Sequence, residues 1–172
     1  CHGEGRVQAS RTVSVDIPAG VETGTRIRLR GEGQAGTKGA QAGDLYVEIR
    51  ETPDPMFSRR GFDLNTSITV PMTTAALGTV FTLQTLDGDR QVEIPAGTQP
   101  GQKVTLKGLG IKRLRGSGRG DLHVHVEVEV PAKLDAESRS LLEQLAALRG
   151  ENRVEPVGSR SGGFFDKLRG KR

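Results

Sequence analysis

Residues 92–101 read Val92-Glu93-Ile94-Pro95-Ala96-Gly97-Thr98-Gln99-Pro100-Gly101, and residues 15–24 read Val15-Asp16-Ile17-Pro18-Ala19-Gly20-Val21-Glu22-Thr23-Gly24. The two segments stand 77 positions apart (94 − 17), and the same offset continues beyond them without a gap. It carries Leu29 to Leu106, Gly31 to Gly108, Gly33 to Gly110 and Gly39 to Gly116. It then carries Gly43-Asp44-Leu45 to Gly120-Asp121-Leu122, and Val47 to Val124. Between Val15 and Ile49, 14 of 35 positions agree in this one register, a longer run than glycine-rich coincidence produces. Self-similarity at a fixed period marks a duplicated structural unit.

Each repeat reads as β structure. Val13, Val15 and Ile17 alternate with polar residues, Ile27 and Leu29 with arginines, and Leu45, Val47 and Ile49 with Tyr46 and Glu48. A period of two means strands with one buried face. The second repeat echoes it in Val92 and Ile94, in Val104 and Leu106, and from Leu122 to Val130. Two further strands are expected at about 62–70 and 79–86, joined by a helical turn at Ala75-Ala76-Leu77-Gly78. Asp87-Gly88 then predicts a tight hairpin. Subtracting 77 moves the counterparts of those strands largely ahead of residue 1. The first domain is therefore expected to be truncated, with its missing strands upstream. Neither Met56 nor Met72 opens the chain, which reads as a piece of a longer protein.

From Asp135 the period changes. Leu141, Leu142, Leu145 and Leu148 fall at i, i+1, i+4 and i+7, a single apolar stripe on a helix. Asp135 can cap its start, Glu137 suits its positive end, and Gly150 can end it. A lone helix of this length is marginal in water, so the stripe needs a partner. The tail beyond is rich in Gly, Ser and Arg, predicts a flexible segment, and closes on Phe164-Phe165-Asp166-Lys167-Leu168. The expected fold class is all-β: two tandem small β-sandwich domains followed by a C-terminal α-helix. Its boundaries are 1–52 for the first domain, 53–131 for the second, 132–150 for the helix and 151–172 for a flexible basic tail.

Composition narrows the function. Six aromatics and no Trp leave small cores of Val, Ile and Leu. No apolar run approaches a membrane span or a secretory signal. One cysteine excludes an internal disulfide framework. The net charge of +4 belongs to residues 158–172, where Arg160, Lys167, Arg169, Lys171 and Arg172 outweigh Asp166. Residues 1–157 balance to zero, which argues against a nucleic-acid-binding face.

Catalytic chemistry is not evident. His123, His125, Glu127 and Glu129 share one strand face and read as the solvated side of an antiparallel strand, not as a metal site. Gly31-Glu32-Gly33 and Gly108-Leu109-Gly110 each follow a strand with no helix after it, so they read as turns and not as phosphate cradles. Asp44 and Asp121 each stand after a Gly and before a strand, where a carboxylate caps a turn. No nucleophile stands in a recognisable motif with a base, so no enzyme is expected.

Cys1-His2-Gly3-Glu4-Gly5 looks like the end of a Cys-x-x-Cys-x-Gly-x-Gly zinc motif. With it go Ile17-Pro18-Ala19-Gly20-Val21, Arg26-Ile27-Arg28-Leu29-Arg30-Gly31-Glu32-Gly33 and Ala42-Gly43-Asp44-Leu45-Tyr46-Val47. Further on stand Phe57-Ser58-Arg59-Arg60-Gly61, Ala75-Ala76-Leu77-Gly78 and Thr85-Leu86-Asp87-Gly88. Taken together, these residues resemble the C-terminal region of the bacterial class A DnaJ co-chaperones. The likeness runs in order through nearly the whole chain, apart from residues 150–163.

The resemblance implies a module that binds clients and dimerises. Segments of unfolded or misfolded polypeptide would lie in a shallow apolar groove of the first domain, adding an extended strand to its sheet. Val13, Val15 and Val47 would line that groove, while Ile17 and Leu29 are expected in the core. The C-terminal helix would pair two protomers into a homodimer through Leu141, Leu142, Leu145 and Leu148. The DnaK chaperone is engaged in the family by a J-domain carrying His-Pro-Asp, and none of the histidines here precedes Pro-Asp. DnaK is thus a partner of the longer protein. Zinc would belong to the longer protein too, because a tetrahedral site needs four ligands and this chain offers only Cys1. No cofactor is expected in this chain alone, no membrane partner, and a cytoplasmic location. A different class of function remains open: a two-domain β-adaptor binding folded partners or RNA through Arg26, Arg28, Arg30, Arg113 and Arg115.

Overall fold

The computed structural model describes residues 9–151. Cys1 and the other residues of the expected zinc motif lie outside the described residues, as do nearly all of the tail and Phe164-Phe165.

In the first repeat, β1 (Arg26–Leu29) and β2 (Leu45–Glu48) pair antiparallel, with Ile27 opposite Val47 and Leu29 opposite Leu45. The arginines between the apolar residues face carboxylates across the ladder: Arg26 Nε lies 3.1 Å from Glu48, and Arg28 Nε lies 2.6 Å from Asp44. The expected strand through Val13 and Ile17 is in no ladder among the described residues. In the second repeat the equivalent strand bonds to residues whose counterparts by the offset are 2–8, outside the described residues.

The second repeat is complete. β3 (Ser58–Arg60), β4 (Asp63–Pro71), α1 (Met72–Leu77), β5 (Thr79–Thr85), β6 (Gly88–Ile94), β7 (Lys103–Leu106) and β8 (Leu122–Glu129) follow in order. One sheet runs β3-β4-β8-β7, and β5-β6 form a separate hairpin. The β4–β8 pair is parallel, with Leu64 opposite Leu122 and Thr66 opposite Val124. Parallel neighbours need a crossover, which α1, the hairpin and β7 provide. Leu64 of β4, Leu83 of β5, Val92 of β6, and Leu122 and Val124 of β8 make one core cluster. Val70, Ala75, Ile94 and Val126 make the other. The sheet and the hairpin therefore close on each other as a small sandwich, each large buried side chain contributing about 1.5–3 kcal/mol. Two of the three buried threonine hydroxyls are satisfied locally: Thr85 donates to the Gly88 carbonyl at 2.7 Å, and Thr98 to the Pro95 carbonyl at 2.6 Å.

No described residue from 9 to 52 is buried. Leu45 is 36% exposed where its counterpart Leu122 is 0%, and Ile17 is 57% exposed where Ile94 is 1%. The expectation of Ile17 in a core is thus corrected here. Ile94 is covered by Val70 and Ala75, whose counterparts by the offset fall before residue 1. Leu29, also expected in the core, is half-buried.

The reading of the β8 histidines also changes. β8 is a central strand, parallel to β4 on one side, and its polar face is half-covered. A ring nitrogen of His123 lies 3.2 Å from the Thr105 hydroxyl, and His125 Nε2 lies 3.1 Å from Asn65 Oδ1.

Residues from Pro131 onward form a unit of their own. α2 (Ala136–Arg149) begins at Asp135, whose carboxylate accepts the Ser138 amide at 2.7 Å. That bond holds the Asp135 carboxyl below the usual carboxylate range. Gly150 ends the helix in the left-handed conformation, at φ 66° and ψ 24°. Leu141, Leu145 and Leu148 are exposed along one stripe, and Leu142 is half-buried.

Candidate functional site

The apolar side of the first repeat is the surface to which the expected groove residues belong. Val47 sits on β2 opposite Ile27 of β1, and both are half-buried, as are Leu29 and Ile49. Val13 and Val15 are half-buried too, in the segment ahead of β1. Arg11, just before them, pairs with Glu32 beyond β1.

The second repeat serves as an internal reference. Val15 and Val47 stand where Val92 and Val124 stand, and both of those are fully buried. Val13 stands where Arg90 stands, and Arg90 is exposed. The first repeat thus keeps the core-facing row of the second and extends it by one apolar residue. None of that row is buried among the described residues.

The main chain at this surface is also readable. The Gly24 amide donates to the Ile49 carbonyl and the Ile49 amide to the Thr25 carbonyl, both at 2.9 Å. Antiparallel alternation then turns the polar backbone groups of Leu45 and Val47 toward β1 and those of Tyr46 and Glu48 toward the opposite edge. No strand pairs with that edge of β2 among the described residues. In the second repeat the equivalent residues, His123 and His125, lie on the β4 side of β8. In the second repeat that edge of β8 is held by β4, whose counterpart by the offset falls before residue 1.

Both glycine pairs close loops. The Gly33 amide donates to the Gly43 carbonyl at 2.8 Å and the Gly43 amide to the Gln34 carbonyl at 2.9 Å. Their counterparts repeat the pattern, Gly110 to Gly120 at 2.8 Å and Gly120 to Ile111 at 3.0 Å. Asp44 and Asp121 cap these loops as expected, through the amides of Gly31 and Gly108.

The arginines of the adaptor reading do not form one free row. Arg26 and Arg28 are paired across the ladder, and Arg113 lies 5.4 Å from the Phe62 ring centroid. No three His, Cys, Asp or Glu side chains converge among the described residues. One surface escaped sequence reasoning: a groove lined by Met56, Phe57, Arg60, Asn65, Ser67 and His125. The only local signal for it is Asp54, whose carboxylate accepts the amides of Met56 and Phe57 at 2.8 and 3.0 Å and so bends the chain there.

Residues 4–131 match the DnaJ C terminal domain family. The chain belongs to that family. It is 55% identical over 168 residues to "Chaperone protein DnaJ 2" of Streptomyces avermitilis, covering 96% of this chain and 44% of that protein. To "Chaperone protein DnaJ 1" of Corynebacterium efficiens it is 50% identical over 173 residues, covering 99% and 46%. To "Chaperone protein DnaJ" of Sinorhizobium medicae it is 48% identical over 172 residues, covering 98% and 46%. The chain therefore spans somewhat less than half the length of these relatives. The DnaJ C-terminal family match takes in both repeats and stops ahead of α2.

Proposed function

We propose that this chain is the client-binding and dimerisation part of a DnaJ-type co-chaperone, acting in the cytoplasm without enzymatic activity of its own. An extended stretch of unfolded polypeptide lies over Val13, Val15 and Val47 and adds a strand to the first domain's sheet. One observation supports this most: Val13 is apolar at the position where the second repeat has the exposed Arg90. A core of the kind the second repeat builds does not need a valine there. Strand addition takes affinity from main-chain hydrogen bonds and mild selectivity from shallow side-chain pockets. That combination suits a protein that holds many sequences weakly and releases them.

In this reading residues 1–52 are the client-binding domain, 53–131 its second β-domain, 132–150 the dimerisation helix and 151–172 a basic tail. α2 joins two copies of the chain through Leu141, Leu142, Leu145 and Leu148, since an exposed leucine row is a liability on a monomer. Delivery of clients to DnaK, and zinc binding that includes Cys1, belong to the longer protein. Salt dependence tests the reading. An apolar peptide bound to the full-length protein should keep its affinity as salt rises, whereas charge-driven binding to a nucleic acid or acidic partner falls steeply through counterion release. Peptide binding that collapses with salt would favour the arginine-based adaptor.

A further inference from the structure

Gly20 and Gly97 occupy the same place in the two repeats, and both have positive φ, 91° and 82°. Their surroundings differ. A Cβ on Gly97 would meet nothing within 4 Å, whereas one on Gly20 would run into the Lys112 carbonyl oxygen of the second repeat. Their carbonyl partners differ as well. The Gly97 carbonyl accepts the Gln99 side-chain amide at 2.9 Å, so that turn caps itself. The offset places Glu22 where Gln99 stands, and an ionised carboxylate has no proton to donate.

Arg59 supplies the missing donors from β3, in the second repeat. Its guanidinium donates to the Gly20 carbonyl at 3.1 Å and to the Val21 carbonyl at 2.7 Å. It also donates to the Gly61 carbonyl at 2.8 Å and pairs with Glu22 at 3.3 Å and with Glu51. Glu51 in turn accepts the Thr23 amide at 3.1 Å, while its own amide donates to the Thr23 hydroxyl at 2.9 Å. A guanidinium has five N–H donors, and these five partners match them. The side chain is only 20% exposed, so its bonds are partly shielded from water.

We infer that Arg59 is a latch that fixes the first repeat against the second, recruited because Glu22 stands where the second repeat has a self-capping glutamine. Two small domains on one chain move relative to each other by default unless something holds them. A planar, pre-organised fork loses little freedom on binding and recognises two carbonyls and two carboxylates in one geometry, which a lysine cannot do. The latch keeps the apolar side of the first repeat at a set orientation to the second, and it holds whether or not that side binds clients.

The test is the residual dipolar couplings of the 172-residue chain, fitted separately for residues 24–50 and 63–129. In the parent chain both sets should share one alignment tensor. Arg59→Ala should give the two repeats separate tensors, with the first repeat's alignment magnitude below the second's. Arg59→Lys, which keeps the charge but not the fork, should do the same. Adding Glu22→Gln to Arg59→Ala should restore an ordered turn at 20–23 without restoring the shared tensor. If Arg59→Ala unfolds the first repeat, seen as lost β1–β2 amide signals, Arg59→Lys carries the test. One shared tensor in the Arg59 variants would overturn the inference. So would two tensors in the parent chain, or a shared tensor regained through Glu22→Gln.

Discussion

The Asp44 carboxylate accepts the Gly31 amide at 3.0 Å, and the second repeat copies the bond between Asp121 and Gly108 at 2.8 Å. A loop of the same closure thus leads into β2 and into β8. In the first repeat Arg28 adds a second bond to Asp44, at 2.6 Å. The Gly31 amide first, and then Arg28, hold the Asp44 carboxyl below the usual carboxylate range.

This bond predicts a pH dependence. A carboxyl whose folded-state pKa is depressed contributes stability that is whole above the unfolded value, about 3.9, and is lost as pH falls through the folded value. Asp44→Asn removes the charge and keeps the shape. The variant's first repeat should melt below the parent's at pH 7, followed through the β1–β2 amide signals. That gap should persist to about pH 5 and close toward about pH 2. A gap of equal size at the acid end would mean that the charge on Asp44 does not contribute.

Burial separates equivalent leucines. Leu122 is 0% exposed, so Leu122→Ala should cost about 2–5 kcal/mol. Leu45, 36% exposed at the matching position, should cost well under half of that in the same 172-residue chain. Urea unfolding followed separately at signals of each repeat measures both. Equal costs would show that the first repeat has a core as closed as the second.

The helix carries the third expectation. Asp135→Ala removes the bond to the Ser138 amide and should lower the stability of α2 by about 1 kcal/mol. Leu142→Asp with Leu145→Asp should convert a dimer into a monomer while the β-domain amide signals stay in place. Sedimentation equilibrium reads the mass. An unchanged dimer mass in that double variant would remove α2 from the interface.

Much of this fold was legible because its signals are local. The period of two marked β1, β2 and the later strands of the second repeat, while the short β3 went unmarked. Asp135 and Gly150 marked both ends of α2, and the paired spacing of Gly31 and Asp44 with Gly108 and Asp121 marked the loops. What was not legible depends on partners distant in sequence. Alternation at Val13, Val15 and Ile17 cannot say which strand will pair with them, and Ile17 is exposed where Ile94 is covered by Val70 and Ala75. Periodicity likewise cannot tell that β8 lies between β4 and β7, where His123 meets Thr105 and His125 meets Asn65. Arg59 reaches carbonyls 38 and 39 residues away, and no local pattern announces that. The candidate face itself was legible only in part. Val13 becomes distinctive once its counterpart Arg90 is seen exposed at the end of the same row.

That contrast defines the most direct measurement of the central claim. Val13→Arg gives the first repeat the residue the second already carries at this position. In the full-length protein, anisotropy titration with a labelled apolar peptide should show affinity reduced at least tenfold, about 1.4 kcal/mol, with the thermal midpoint of the first domain nearly unchanged. Val92→Arg, at a fully buried position of the second repeat, should instead lower the second domain's midpoint. Unaltered peptide affinity in a folded Val13→Arg protein would contradict the account, because the residue by which the two apolar rows differ would then have no part in holding clients.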